Sequence, residues 1–254
     1  MKKVKLYTLA ALLLLASATY AQDGDDENKE KKTYVKHKTR TTHHDLRLDL
    51  GMNNWLEDGK FPNDNNALYS VRPWGSWYFA INSIYDTKVA GPLHLEWGVG
   101  VSWYNFKFEN SGVRMAEGNN TVVFTEAPLD LDTKKSKLTA TYINASFVPV
   151  LKFGQKSHHR HHHGHWHAFE NDGGFRIGAG GYAGYKIDSY TKTVSGDDNK
   201  DKDHDGFYLN NLRYGARVQI GFRGMDFFAN YDLNEVFVDN KGPSLNAFSF
   251  GVIL

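Results

Sequence analysis

The chain has 254 residues, of which 14% are aromatic, 24 are glycine and none is cysteine, and its formal net charge is +1. This length suits one domain with a single core. The absence of cysteine excludes disulfides, thiolate chemistry and lipid attachment through an N-terminal cysteine. Without Lys2, Lys3 and Lys5, 27 basic residues face 29 acidic ones, so no broad basic surface for nucleic acid is expected.

An export signal occupies the first residues. Met1–Lys5 is basic, Leu6–Ala16 is apolar, and Thr19 and Ala21 are the small residues that precede a cleavage site before Gln22. The apolar run is short compared with the roughly 20 residues that cross a bilayer as a helix. The pattern predicts a cleaved signal peptide over 1–21. Residues 22–42 are polar and are predicted to be a flexible periplasmic leader.

From residue 43 onward, apolar and polar side chains alternate with the period of a β-strand. In Asp45–Leu50 every second residue is leucine and the residues between are charged. Similar runs predict eight strands, at approximately 44–54, 74–86, 93–108, 137–153, 173–187, 207–223, 225–237 and 244–254. Several are longer than the five or six residues usual in soluble proteins.

The connections alternate in length. Residues 55–73, 109–136 and 188–206 are long and polar, whereas 85–92 and 223–225 are short. Long loops at one end and short turns at the other are typical of outer-membrane barrels, as are aromatic residues near the strand ends. The predicted fold is therefore all-β: an eight-stranded antiparallel up-and-down transmembrane β-barrel over 43–254. A soluble barrel with its apolar face inward is the alternative.

The polar strand faces carry glycine together with charges of both signs. An eight-stranded barrel has a narrow interior, where unpaired charges would be very costly. We therefore expect an ion-pair network inside. Its expected members are Asp45, Arg47, Asp49, Glu96, Arg176, Lys186, Arg213, Arg217, Asp226 and Asp232.

Several strand segments resemble a known family. They are Tyr142–Phe153, the glycine-rich Gly178–Tyr185, Leu212–Gly215, Tyr231–Asn234 and Phe248–Gly251. Together they resemble the Bacteroidota outer-membrane β-barrel proteins related to PorT, a component of a secretion system. The resemblance covers most of the chain after residue 43. It implies a cell outer-membrane location and a secretion-associated role, with secretion-system components as partners.

A histidine-rich tract lies between the fourth and fifth predicted strands. Imidazole is a common ligand of zinc, copper and nickel, although a flexible tract lacks the fixed geometry of a catalytic site. Strand parity predicts that the tract faces the periplasm. The candidate metal ligands are His158, His159, His161, His162, His163, His165 and His167.

An acidic run begins like a calcium-binding loop. Asp201, Asp203 and Asp205, followed by Gly206, match the first half of the D-x-D-x-D-G pattern. Position twelve is Leu212 rather than the bidentate glutamate of such loops. The run is a candidate calcium site or, alternatively, a solvated outer loop.

Catalytic patterns are weak. Gly178, Gly180 and Ala183 match a dinucleotide-binding pattern but lie within a strand, so we reject that function. His94, Glu96 and Ser102 share one strand face, but no nucleophile signature accompanies them. A structural His94–Glu96 pair within the ion network is the favoured interpretation, and an outer-membrane lipid-modifying enzyme is the alternative.

Three functions follow from these patterns. The first is a non-enzymatic outer-membrane barrel with a structural, adhesive or secretion-associated role, which requires no cofactor, contacts outer-membrane lipid and needs the barrel-assembly machinery. The second is a periplasm-facing protein that binds zinc, copper or nickel through the His tract. The third is the lipid-modifying enzyme.

Overall fold

The computed structural model describes residues 42–62, 68–127, 132–154 and 174–254. All regular structure in these residues is β-strand. The strands are β1 (Thr42–Leu56), β2 (Trp77–Ala90), β3 (Leu93–Lys107), β4 (Val113–Glu117), β5 (Val122–Glu126), β6 (Thr133–Phe153), β7 (Phe175–Ser195), β8 (Lys200–Asp203), β9 (Leu212–Phe222), β10 (Met225–Asp232) and β11 (Asn246–Ile253). No helix in the described part of the chain is long and apolar enough to cross a membrane.

Eight of these strands form a closed antiparallel ring. The order around the ring is β6-β3-β2-β1-β11-β10-β9-β7, and the pairing of β6 with β7 closes it. The first and last strands pair from Asp49 opposite Ile253 to Leu56 opposite Asn246. This confirms the prediction of eight antiparallel strands, each of which overlaps its predicted range.

The ring has two different ends. We call the end at which β1 begins and β11 finishes the terminal end, and the opposite end the long-loop end. At the terminal end β9 and β10 are joined by Arg223 and Gly224, whose φ values are 51° and 83°. Positive φ at both central residues is the geometry of tight two-residue hairpins. The connections 57–76, 108–132, 196–211 and 233–245 leave the long-loop end.

The long connections contain structure that the sequence analysis missed. Residues 109–136 were expected to be a polar loop, but β4 and β5 form a hairpin within them, and β8 adds a strand to the edge of β7. Val113, Met115 and Val122 of the hairpin are buried. The prediction failed because five-residue strands surrounded by polar residues carry little periodic signal.

The apolar strand faces point away from the ring. Leu46 is 59% exposed and Val99 is 50% exposed, whereas Asp49 and Glu96 on the opposite faces are almost fully buried. The predicted assignment of faces is therefore confirmed. The exposed apolar belt comprises Leu46, Leu50, Ile81, Trp97, Val99, Phe147, Ile177, Tyr185, Tyr214, Val218, Ile220, Phe222, Phe227 and Phe250.

The main apolar core lies towards the long-loop end. Side chains from separate loops meet there and pack on the inward residues of the strands. Trp55, for example, stacks on Phe106 at 4.3 Å between ring centroids. The core includes Trp55, Val71, Tyr104, Phe106, Phe108, Val113, Met115, Val122, Leu138, Phe207, Leu209, Phe237 and Leu245.

Candidate functional site: the closed interior of the ring

Glu96 is the centre of an ion network near the terminal end. It lies on the inward face of β3 and is 3% exposed. Arg47 donates to both carboxylate oxygens, at 2.6 and 3.2 Å, and Lys152 and Arg176 approach at 3.0 and 3.1 Å. Gln219 donates a further hydrogen bond at 2.6 Å. One buried carboxylate thus holds three cations from different strands, which confirms the predicted interior network. Lys186, an expected member, was predicted wrongly: it donates to the backbone oxygens of Gly206 and Leu209 and forms no ion pair in the described residues.

Two further carboxylates balance the cations around Glu96. Asp226 accepts a hydrogen bond from Arg176 at 2.9 Å. Asp86 accepts one from Lys152 and lies 2.8 Å from Nδ1 of His94. Because each cation has a carboxylate partner, the network avoids the large cost of an isolated buried charge.

Arg213 forms a second cluster closer to the long-loop end. It pairs with Asp232 at 3.0 Å and donates to the hydroxyl of Tyr104. Its guanidinium lies over the rings of Tyr104, Tyr142 and Tyr182, at 4.3 to 5.0 Å from their centroids. Aromatic faces attract a cation, so this arginine is held by rings as well as by a carboxylate.

Arg217 lies on β9 between Arg213 and Gln219, the residue that donates to Glu96. It donates to Asp49 at 2.9 Å and to Asn230 at 3.2 Å, and it lies over the ring of Phe228. A cavity of about 40 Å³ lies in the described interior and is lined by Arg47, Asp49, Glu96, Arg213 and Arg217 among others. That volume suits a few water molecules. The packed interior is therefore not an open pore.

Glycines make room for the long interior side chains. A β-carbon at Gly221 would overlap the side chains of Arg176 and Asp226. A β-carbon at Gly215 would overlap Tyr182. This agrees with the prediction that glycines on the polar faces provide interior space, and it explains why they lie opposite arginine and tyrosine.

The structure does not assemble the catalytic residues considered above. His94 pairs with Asp86, not with Glu96, so the expected His94–Glu96 contact is wrong. Glu96 is already occupied by its cations. Ser102 accepts a hydrogen bond from Asn144 at 2.9 Å and lies eight residues from His94 along β3, about 26 Å. His94, Glu96 and Ser102 therefore cannot act together on one substrate.

The histidine tract lies outside the described residues. Its flanking strands are described: β6 ends at Phe153 and β7 begins at Phe175, and these two residues pair at the terminal end. Metal binding by His158, His159, His161, His162, His163, His165 and His167 stays a prediction.

The candidate calcium residues lie at the edge of the sheet. Asp201 and Asp203 belong to β8, and Asp205 follows it. Burial, together with the negative charges of Asp205 and Asp201, raises the pKa of Asp203. No group of three or more His, Asp or Glu in the described residues has a metal-binding arrangement. Calcium binding here also stays a prediction.

Two members of the interior network were missed in the sequence. Asp86 and Lys152 make several of its shortest contacts, yet neither belongs to a run of alternating charges. On β6 the inward neighbours Val148 and Val150 are apolar and buried, so alternation gave no sign that Lys152 points inward. Residue spacing could have revealed them, because Asp86 and Lys152 each lie an even number of residues from an inward side chain on the same strand.

Comparisons with known proteins add little to this description. No protein-family model and no curated protein matches the chain. Among solved structures, the chain is similar to Ail, the attachment invasion locus protein of Yersinia pestis, crystallised with the heparin analogue sucrose octasulfate. The identity is 13%, the match covers 83% of this chain and 97% of Ail, and the TM-score is 0.30. The fold assignment rests on the strand pairing itself.

Proposed function

We propose that this protein is an integral outer-membrane β-barrel without catalytic activity, which presents its long-loop end to the cell exterior. The role is structural, adhesive or secretion-associated. The predicted signal peptide supports export, and the ring supports insertion because a closed sheet satisfies all of its backbone hydrogen bonds within lipid.

One observation carries this proposal: the ring is apolar outside and charged inside. Leu46 and Val99 are exposed, while Glu96 and Arg176 are buried. In water this arrangement would expose a large apolar belt at considerable cost. In a bilayer the same belt contacts hydrocarbon, and the charges inside are shielded from it. The soluble alternative requires the opposite orientation.

Aromatic side chains at both margins of the belt support the same proposal. Tyr85 and Trp97 stack at 4.8 Å towards the terminal end, and Phe79 and Trp103 stack at 5.4 Å towards the long-loop end. Such girdles lie at the two membrane interfaces of outer-membrane barrels.

The packed interior argues against transport and favours a surface role. The ion network fills the terminal half, and the apolar core closes the long-loop end. The strands β6 and β7, each of 21 residues, extend past the apolar belt together with β8. This extension would be a rigid platform for an extracellular or secretion-system partner.

The proposal is tested by placing the same charge at two exposed valines. Val99 lies in the belt and is 50% exposed, whereas Val123 lies on the β4–β5 hairpin and is 37% exposed. In a bilayer, Val99→Arg should cost about 2–4 kcal/mol of folding free energy. Val123→Arg should change it by less than about 0.5 kcal/mol. Both variants are folded into phosphatidylcholine vesicles, and heat-modifiable gel migration measures the folded fraction of each.

The mature wild-type chain should need detergent or lipid to stay folded and monomeric. A chain that folds as a monomer in plain buffer, with Val99→Arg as harmless as Val123→Arg, would refute the membrane orientation.

A further inference from the structure

Four lysines lie side by side across four neighbouring strands. Lys107 on β3 pairs with Lys137 on β6, Lys137 pairs with Lys192 on β7, and Lys192 pairs with Lys202 on β8. We call these four residues the lysine row. Directly opposite residues on one sheet face have β-carbons about 4.5–5.5 Å apart, and like charges in such positions are destabilising. The row therefore concentrates positive charge at a cost to the fold.

The lysine row points outward, on the same face as the apolar belt. On β3 the outward residues run from Val99 through Trp103 to Lys107, which lies four residues, about 13 Å, beyond the tryptophan. The row thus begins just past the aromatic margin of the belt, at the long-loop end. In the proposed orientation, this is the height of lipid headgroups in the outer leaflet.

The positive charges of the row are not neutralised by the described residues. None of the four ammonium groups has a carboxylate within 4.0 Å in the described part of the chain, whereas the neighbouring Lys134 pairs with Asp198. Lys137 instead donates to the side-chain oxygen of Asn105 at 2.7 Å. Lys137 and Lys202 both lie over the ring of Tyr190, at 5.9 and 5.0 Å from its centroid.

The close approach of the neighbouring lysines lowers the pKa of Lys137. Burial and the positive charges of Lys135, Lys192 and Lys202 lower the pKa of Lys137 to about 8. A bound anion would relieve this repulsion.

We propose that the lysine row binds the phosphate groups of phospholipid or glycolipid headgroups in the outer leaflet. Lysine is a common phosphate ligand. Four ammonium groups in a row match several phosphate groups better than they match a single carboxylate. Anionic lipid surfaces attract basic residues that lie just outside the hydrocarbon. This inference rests on the proposed membrane orientation, because only that orientation sets the row beside headgroups.

The test uses the full mature chain folded in a neutral detergent. Isothermal titration calorimetry would measure binding of a short-chain phosphatidate, which carries a phosphomonoester headgroup. Short-chain phosphatidylcholine and inorganic phosphate are titrated in parallel. The test variant replaces Lys107, Lys137, Lys192 and Lys202 by Gln. The matched control replaces Lys60, Lys88, Arg223 and Lys241, which lie elsewhere on the surface, by Gln.

We expect wild type and control to bind phosphatidate with similar affinity, and the row variant to bind about tenfold or more weakly. Inorganic phosphate and phosphatidylcholine should bind wild type much more weakly than phosphatidate does. Equal affinity of row variant and wild type for phosphatidate would overturn the proposal. Equal affinity of wild type for phosphatidate and inorganic phosphate would overturn the lipid assignment. Failure of wild type to fold in detergent would instead contradict the membrane function.

Discussion

Glu96→Gln should destabilise the protein more than any other conservative change in the interior. The substitution keeps the size of the side chain but removes the charge shared by Arg47, Lys152 and Arg176. Removing one partner from a buried ion pair typically costs about 3–5 kcal/mol. Lys152 and Arg176 retain other carboxylate partners, so we expect a loss near the lower limit, about 3 kcal/mol.

Urea-induced unfolding of the detergent-folded protein, followed by tryptophan fluorescence, measures this loss. With a typical dependence of about 2 kcal/mol per molar urea, the midpoint should fall by about 1.5 M. Glu109→Gln is the matched control because Glu109 is exposed and has no ion pair among the described residues. It should shift the free energy of unfolding by less than about 0.5 kcal/mol.

A double-mutant cycle that combines Glu96→Gln with Arg47→Met tests whether the loss of stability arises from the Arg47–Glu96 pair. If the Arg47–Glu96 pair contributes to stability, the combined variant should lose less than the two single variants together, by about 1–3 kcal/mol. Glu96→Gln with an unchanged midpoint, or strictly additive losses, would refute the view that Glu96 holds the interior together.

Three further outcomes follow from the structure. Gly221→Ala should destabilise the ring because the added methyl group displaces Arg176 and Asp226. Urea unfolding measures the loss of unfolding free energy, which should disappear when Arg176 and Asp226 are both replaced by Ala. Lys137 should titrate near pH 8 by NMR, and because its pKa is lower folded than unfolded, stability should rise between about pH 8 and 10.5. A midpoint above 10 would contradict this. In planar bilayers the protein should show no large single-channel steps, because its interior is packed; porin-like conductance would contradict the closed interior.

Strand positions and faces were predictable because the ring is built from long regular strands. In Asp45–Leu50 of β1 charged residues alternate with leucine, and in β9 arginine, glycine or glutamine alternates with apolar residues; each alternation places the charges inside the ring. Period two is a direct consequence of strand geometry. For this reason the interior charges Asp49, Glu96 and Arg213 could be predicted individually.

The apolar closure of the long-loop end could not be predicted. Phe207, Leu209, Phe237 and Leu245 come from two separate loops, although all four fell within the predicted strands 207–223, 225–237 and 244–254. Nothing in the local sequence shows that they meet. Their burial depends on the ring bringing the ends of β7 and β10 close together, which is a property of the tertiary fold.

A one-residue bulge in β7 determines the face on which Lys192 lies. Thr141 pairs with Asp188, but the next residue, Tyr142, pairs with Lys186, so Ile187 is an extra residue in β7. Below this bulge the even-numbered residues of β7 point inward, as Arg176 does; above it, Ser189 and Thr191 are the buried residues. After a bulge, the odd-numbered residues of the strand lie on the face that the even-numbered residues occupied before it.

Uninterrupted alternation would have assigned Lys192 to the interior. The bulge turns it outward, into line with Lys107, Lys137 and Lys202. Deleting Ile187 should remove the bulge but leave Ser189 and Thr191 on the inner face and Lys192 on the outer face, because the pairing of Thr141 with Asp188 and of Lys137 with Lys192 needs no extra residue. If the row binds headgroup phosphate, a folded deletion variant should therefore bind phosphatidate as the wild type does. Loss of binding in this variant would show that the bulge itself, and not the strand face on which Lys192 lies, sets the row.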